Sequence, residues 1–361
     1  MPIAFPYIQA RGSYRDLGRA VGEAAREQVA AAIDYYREHF VAMAGIEFAE
    51  AERRAQGYLR YAERHLPQYV EELQGLAEGA GQPFSAVMVP NCGEEFTCAT
   101  GATPGAPGGR PAMRAGRLCT GVAVSAGGRH VVGHNMDWYA VDLDKNVLFD
   151  LTMPDGTRLL SIAGVPYLPM LGMTSHGIGS VSNSLSCNDA REGVPNAFVR
   201  RWVLEAPSVE EGRKRACLAG RARGSNHLWM DRSGLVCDLE TSATAAAEVA
   251  GEGWLVHTNH YVSEAMAPFE ASLEDESRRR LARAETLLAA GIARGDHPVE
   301  LVAAVLRDHA GSPDAICGHP GVRGPRPDES VTVASMICDL DNGRLHACAG
   351  PPCENPYRVF D

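Results

Sequence analysis

Between Ala99 and Gly116 the chain reads ATGATPGAPGGRPAMRAG, a run of eighteen small, Gly- and Pro-rich residues with almost nothing to bury. Such a segment predicts an exposed, poorly ordered linker. A loop of this length inside a compact chain is uncommon and tends to be functional or a site of processing. It also divides the sequence into two parts with different periodicities.

Upstream, the pattern is helical. Ser13 is positioned as an N-cap, and Tyr14–Phe40 carries apolar residues at helical spacing. A second run covers Phe48–Tyr61. A third begins near Pro67, stripes Tyr69, Leu73 and Leu76, and closes at Gly79 and Gly81. Downstream, alternation takes over. Cys119–Val124, a turn at Gly127 and Gly128, and His130–Gly133 predict a hairpin. Further strands are expected at Val147–Thr152, Arg158–Ile162, Gly179–Asn183, His227–Met230, Val236–Glu240, Trp254–Thr258, Val331–Asp339 and Arg344–Ala347. Helices are expected at Asn196–Leu204, Ser208–Ala219, Glu276–Ala290 and Pro298–Asp308. Hairpins interrupted by helices argue an α+β class rather than a strand–helix alternation. The expected organisation is a helical segment over residues 1–98, a flexible linker over 99–118, and a β-rich catalytic region over 119–361.

Composition narrows the function. Length gives a prior of about two domains, and the 45% apolar and 22% charged content is that of a soluble globular protein. A net charge of −11 argues against nucleic-acid and anionic-membrane partners, while leaving room for a local basic pocket facing a CoA or carboxylate ligand. No apolar run approaches the roughly 18 residues needed to span a bilayer, and the first residues lack a signal-peptide pattern. A cytoplasmic location is expected. The ten cysteines include no pair two residues apart, so the common zinc and dithiol signatures are missing. No metal and no cofactor are expected.

Cys119 stands apart by position. A thiol is a good nucleophile only when a base or an electropositive setting generates thiolate. At the start of a chain its own α-amine, with a reference pKa of about 7.7–8.0, serves as that base near working pH. Cleavage between Leu118 and Cys119 places a free amine and thiol on a rigid strand end. Asp137 follows eighteen residues later on the paired strand. Taken alone, Asp137 after Asn135 also fits an ordinary turn, and Met136 and Trp138 read as packing residues. Alternation puts His257 and Asn259 on one strand face and His260 on the other. No carboxylate or third ligand is evident near them, so Asn259 reads as an oxyanion donor rather than part of a metal site.

These segments resemble the isopenicillin N acyltransferase family of N-terminal-nucleophile proenzymes, and more distantly the bile-salt hydrolase and penicillin V acylase group. The resemblance rests on CTGVAV at Cys119–Val124, GHNMDW at Gly133–Trp138, LETS at Leu239–Ser242, VHTNHY at Val256–Tyr261 and SRRRLARAETLL at Ser277–Leu288. A weaker match runs from ICGH at Ile316–His319 into SVTVASMICD at Ser330–Asp339. It implies an αββα sandwich with a mainly helical prosegment. It also implies that Cys119 is the nucleophile of self-cleavage and turnover, that Asp137 orients the new amine or binds substrate, and that Asn259 stabilises the oxyanion. Asn183, Ser242, Thr120, His134 and Arg280 become candidates for substrate binding or processing. The implied partners are a small-molecule acyl donor, acyl-CoA among the candidates, and an amine or water acceptor. The two cleaved chains are expected to stay associated, in a role in specialised metabolism such as antibiotic biosynthesis.

Three positions depart from the pattern. Leu118 stands where the fungal penicillin-forming enzymes have glycine, Gly318 and His319 follow Cys317 where they have arginine, and His134 replaces an arginine of the bile-salt group. The first two support an alternative, an unprocessed, non-catalytic binding protein of the same fold. A metal-binding protein is a third reading, disfavoured by the ligand spacing.

Overall fold

A computed structural model describes residues 5–97, 119–271, 275–320 and 329–361. The expected linker at 99–118, including Leu118 of the expected cleavage site, lies outside the described residues.

Strand β1 (Tyr7–Arg11) precedes helices α1 (Tyr14–Ala24), α2 (Arg26–Ala44), α3 (Phe48–His65), α4 (Pro67–Ala80), α5 (Phe84–Asn91) and α6 (Gly93–Thr97). Strands β2 (Thr120–Ala126), β3 (Arg129–Tyr139), β4 (Asn146–Thr152), β5 (Arg158–Gly164), β6 (Gly172–Thr174) and β7 (Ile178–Ser184) follow. Helices α7 (Asn196–Leu204) and α8 (Val209–Ala216) lead to β8 (Ser225–Asp231), β9 (Val236–Thr241), β10 (Ala246–Glu248) and β11 (Trp254–His257). The chain closes with α9 (Asp275–Arg294), α10 (Pro298–Leu306), β12 (Ser330–Asp339), β13 (Arg344–Ala349) and β14 (Arg358–Phe360).

The strands form two sheets, ordered β1-β4-β5-β6-β7-β8-β9-β10 and β11-β2-β3-β12-β13-β14. Apolar alternation stacks them. On β2 and β3, Ala123 and Val132 face the large sheet, where they meet Leu148, Leu160, Val181 and Leu228. Their neighbours Val122, Val124 and Val131 face the other way, onto Leu288 of α9 and Val302 and Val305 of α10. Both faces of the small sheet are therefore covered, and each fully buried Val or Leu contributes roughly 1.5–3 kcal/mol. On the far side of the large sheet, Val147, Phe149 and Leu159 pack against residues of α1–α5 and α7. The layers read helix, sheet, sheet, helix: the expected αββα sandwich.

The N-terminal helices share that outer core with the large sheet, so they pack as part of the sandwich. Ser13 caps α1 through a reciprocal capping box with Asp16. The single helix expected over 14–40 breaks at Ala25 into α1 and α2. Helices α1 and α4 approach closely because each offers glycine to the other. A Cβ on Gly18 would collide with the Glu72 carbonyl, and one on Gly75 with the Arg15 carbonyl. Strand β1 was not anticipated; it joins the large sheet parallel to β4. Strand β3 runs to Tyr139, six residues beyond the expected hairpin end, and this extension carries the site.

Candidate active site

The GHNMDW segment lies on β3, and its residues divide between the two faces. Gly133 packs under α10, where a Cβ would collide with Val302. Asn135 donates to Leu306 O (2.8 Å) and Ile316 O (2.9 Å), fastening the end of α10. His134, Met136 and Trp138 line a cleft of about 710 Å³, counting the space at its mouth. Both Met136 and Trp138 are thus wall residues of the site as well as packing residues. Asp137 pairs with Thr332 across the β3–β12 ladder, where the register shifts between Thr332 and Ala334. Such irregularities re-aim side chains, and Val333, inside the shift, also faces the cleft.

Cys119 sits at the entry to β2 on the same cleft, 9% exposed. Its Sγ accepts from Asp137 N at 3.4 Å. Burial, reinforced by the Asp137 charge, pushes the thiol up to about 12. The thiol is thus held in its protonated, weakly nucleophilic form. Asp137 is fully buried, and burial drives its carboxyl up to about 8 against the opposing influence of Thr332 and Arg280. Neither carboxyl oxygen makes a well-formed hydrogen bond among the described residues. His134 cannot replace the missing base. Burial pulls it down to about 3, and its Nε2 lies 3.3 Å from Asn183 Oδ1.

Helix α9 fixes the backbone around the thiol. Arg280, 1% exposed, donates through Nη1 to Cys119 O (2.8 Å) and Thr120 Oγ1 (3.2 Å). Its Nη2 donates to Asn259 Oδ1 (3.1 Å). One helical turn earlier, Ser277 Oγ accepts from Asn259 N (2.8 Å). With its oxygen held by Arg280, Asn259 turns its amide NH2 the other way, and Nδ2 donates to Ser184 O (3.1 Å). An amide has two such hydrogens, and among the described residues one of them is engaged in this way.

Of the expected site residues, Cys119, Thr120, Asp137, Asn259 and Arg280 are drawn together, and His134 is on the cleft wall. Asn183 lies behind it, donating to Asn226 Oδ1 (2.8 Å) and His257 O (3.2 Å). Ser242 stands apart in the turn after β9, donating to Asp189 Oδ2 (2.8 Å). The alternation expected for His257, Asn259 and His260 does not apply, because β11 ends at His257. A carboxylate is present there after all: Glu240 Oε1 lies 2.8 Å from His257 Nε2. Flanked by Asp238 and Glu240, His257 is raised to about 9 despite burial, and so carries a structural charge.

Sequence reasoning missed the opposite wall. Arg200 and Glu94 form a buried ion pair (2.6 Å) lining the cleft, and Arg200 Nε also donates to Ser225 Oγ (2.9 Å). The partners are 106 residues apart, so no local spacing announces them. Apolar and aromatic surface from Trp138, Tyr167, Met170 and Leu171 completes the wall. The N-terminal helices supply part of it through Pro90, Asn91 and Glu94.

A family profile described as acyl-coenzyme A:6-aminopenicillanic acid acyl-transferase matches residues 124–353. The chain is 23% identical over 315 residues to the 40 kDa form of acyl-coenzyme A:6-aminopenicillanic-acid-acyltransferase from Emericella nidulans, covering 86% of this chain and 84% of that protein. Among solved structures, penicillin V acylase from Agrobacterium tumefaciens aligns with TM-score 0.45 at 16% identity, over 67% of this chain and 84% of that one. A mutant conjugated bile acid hydrolase from Clostridium perfringens aligns with TM-score 0.43 at 13% identity, over 67% and 96%.

Proposed function

The chain belongs to the acyl-coenzyme A:6-aminopenicillanic acid acyl-transferase family, and we propose that it is a self-processing cysteine amidohydrolase or acyltransferase with Cys119 as its nucleophile. The observation that carries this reading is that Asp137, whose backbone N–H donates to the Cys119 thiol, has a buried and poorly partnered carboxyl. Among the described residues of the intact chain the thiol has no effective base. Cleavage at Leu118–Cys119 creates one beside it, a free α-amine that Asp137 is placed to hold by a hydrogen bond. A carboxylate raises the pKa of a neighbouring amine, so Asp137 positions the amine rather than activating it.

Self-cleavage begins with Cys119 Sγ attacking the Leu118 carbonyl carbon. The C–N bond breaks as the C–S bond forms, and the Cys119 nitrogen takes up a proton. Water then hydrolyses the thioester, giving a Leu118 carboxylate and a free Cys119 thiol. In turnover the α-amine accepts the thiol proton as Sγ attacks an acyl donor. The tetrahedral oxyanion takes a hydrogen bond from Asn259 Nδ2, a contact worth about 3–4 kcal/mol in comparable sites. The leaving group departs with the proton, and the acyl thioester passes to water or an amine. Arg280 holds Cys119 and Asn259 in register throughout.

The apolar cleft wall suits the acyl part of a small-molecule donor, with an acyl-CoA thioester or an amide as the scissile group. We assign the reaction to specialised metabolism on the family resemblance, and the location to the cytoplasm. Among the described residues no helix is long and apolar enough to cross a membrane.

The reading is tested by incubating the protein with a panel of acyl-CoA thioesters and N-acyl amides, quenching in acid and mapping peptides by mass. An acyl increment on the peptide that begins at Cys119, absent from Cys119→Ala, is expected. Turnover that survives in Cys119→Ala refutes the assignment.

A further inference from the structure

Away from the cleft, four donor side chains from three separate segments meet behind strands β12 and β3. We propose that His309, Cys317, His319 and Cys353 bind one zinc ion in a closed, four-coordinate structural site. Their donor atoms all lie within 4.8 Å of one another. A tetrahedral ion with Zn–S of about 2.3 Å and Zn–N of about 2.0–2.1 Å sets its ligands about 3.8 Å apart for S···S and about 3.3–3.6 Å for pairs that include nitrogen. Two of the observed separations match these figures and two are a few tenths of an ångström shorter. Cys317 Sγ and Cys353 Sγ are 3.7 Å apart. His319 Nε2 lies 3.6 Å from Cys317 Sγ, 3.2 Å from Cys353 Sγ and 2.9 Å from His309 Nε2.

Hydrogen bonding accounts poorly for this convergence. A ring nitrogen offers either one N–H or one lone pair, yet His319 Nε2 faces three donor atoms. A shared cation uses all four lone pairs at once. The outer contacts agree, since His319 Nδ1 lies 3.3 Å from Glu354 Oε1. A carboxylate on the far nitrogen is the usual partner of a metal-bound imidazole and turns Nε2 toward the ion. Two thiolates and two imidazoles are a zinc set. As the ion enters, two thiol protons leave to solvent, so the assembled site is neutral. A disulfide does not describe the arrangement, because the sulfur separation far exceeds the bond length of about 2.05 Å.

The placement gives the site a purpose. His309 follows α10, Cys317 and His319 flank Gly318, and Cys353 lies in the turn between β13 and β14. Gly318 N donates to Thr332 Oγ1 (2.9 Å) and Thr332 N to Gly318 O (3.1 Å). Thr332 is the residue opposite Asp137. Zinc here would brace the loop behind the strand pair that carries the Asp137 carboxyl. All four positions are filled by protein, leaving none for substrate.

The test uses the full chain, purified under reducing conditions without chelator. Elemental analysis is expected to find one zinc per chain, and zinc-edge X-ray absorption a shell of two sulfurs and two nitrogens. His309→Ala and Cys353→Ser alter exposed ligands and each should lower zinc content at least tenfold while the circular dichroism spectrum is retained. Chelated wild type should take up one equivalent of Co2+ with a thiolate-to-cobalt charge-transfer band. The proposal is overturned if wild type carries no zinc and shows no such band, if zinc stays at full occupancy in both variants, or if peptide mapping finds a Cys317–Cys353 disulfide in the protein as isolated.

Discussion

Replacing Asp137 by Asn in an uncleaved Cys119→Ala background turns the most unusual electrostatic feature of the site into a stability measurement. The folded chain holds the Asp137 proton to about pH 8, because burial disfavours the charged form. The unfolded carboxyl releases it near pH 4. Stability linked to this group is therefore fully present below about pH 4 and is lost as pH rises to about 8. A displacement of about four units at 1.36 kcal/mol each amounts to roughly 5 kcal/mol, a large share of the 5–15 kcal/mol typical of a folded domain. Asparagine has no proton to lose, so the double variant lacks this slope. Urea denaturation of both proteins across pH 4–9 should show the Asn form gaining roughly 5 kcal/mol relative to the Asp form at the alkaline end. A gap that stays constant with pH, or one that moves against the Asn form, would falsify the claim that Asp137 is held neutral in the precursor. The former outcome means that Arg280 already keeps it ionised throughout this range.

Other consequences are direct. Asn259→Ala removes the proposed oxyanion donor and should lower kcat about 10²–10³-fold with a smaller change in KM, checked by steady-state kinetics once a donor is found. Glu94→Ala leaves Arg200 buried without its carboxylate and should cost about 3–5 kcal/mol in denaturation midpoint terms. Gly18→Ala forces a methyl into the Glu72 carbonyl and should destabilise the chain by about 1–3 kcal/mol, seen as a lower Tm. Residues on both sides of the proposed cleavage site share one buried core, so the two fragments should stay together after cleavage. They should elute as one species in gel filtration and separate only in denaturant.

Much of this structure is legible in the sequence where local signals are strong. Asn196–Leu204 is helical over the expected limits, and Ser13 caps α1 as its spacing to Asp16 suggests. The break at Ala25 carries no Gly or Pro to announce it. Strand β1 buries Ile8 alone among its five residues, so no periodic signal exists, and its partner β4 is about 140 residues away. At the site, the roles proposed for Cys119, Asp137 and Asn259 rest on segment resemblance and position, and the fold brings the three residues together. The alternation rule does not reach Asn259 and His260, because β11 stops at His257, three residues short of His260. Arg200 with Glu94, and His309 with Cys317, His319 and Cys353, were invisible for a common reason. Their chemistry arises from segments that only the tertiary fold brings together, and the missing close cysteine spacing argued against a metal on grounds that apply to single-loop sites.

The central claim is that the chain creates its own catalytic base by cutting before Cys119. Intact-mass spectrometry of freshly purified wild type beside Cys119→Ala tests this most directly. Two wild-type fragments whose masses divide the chain between Leu118 and Cys119, with the variant whole, are the expected result. A wild type that remains a single 361-residue chain would contradict it, leaving a thiol without a base and favouring the unprocessed binding protein.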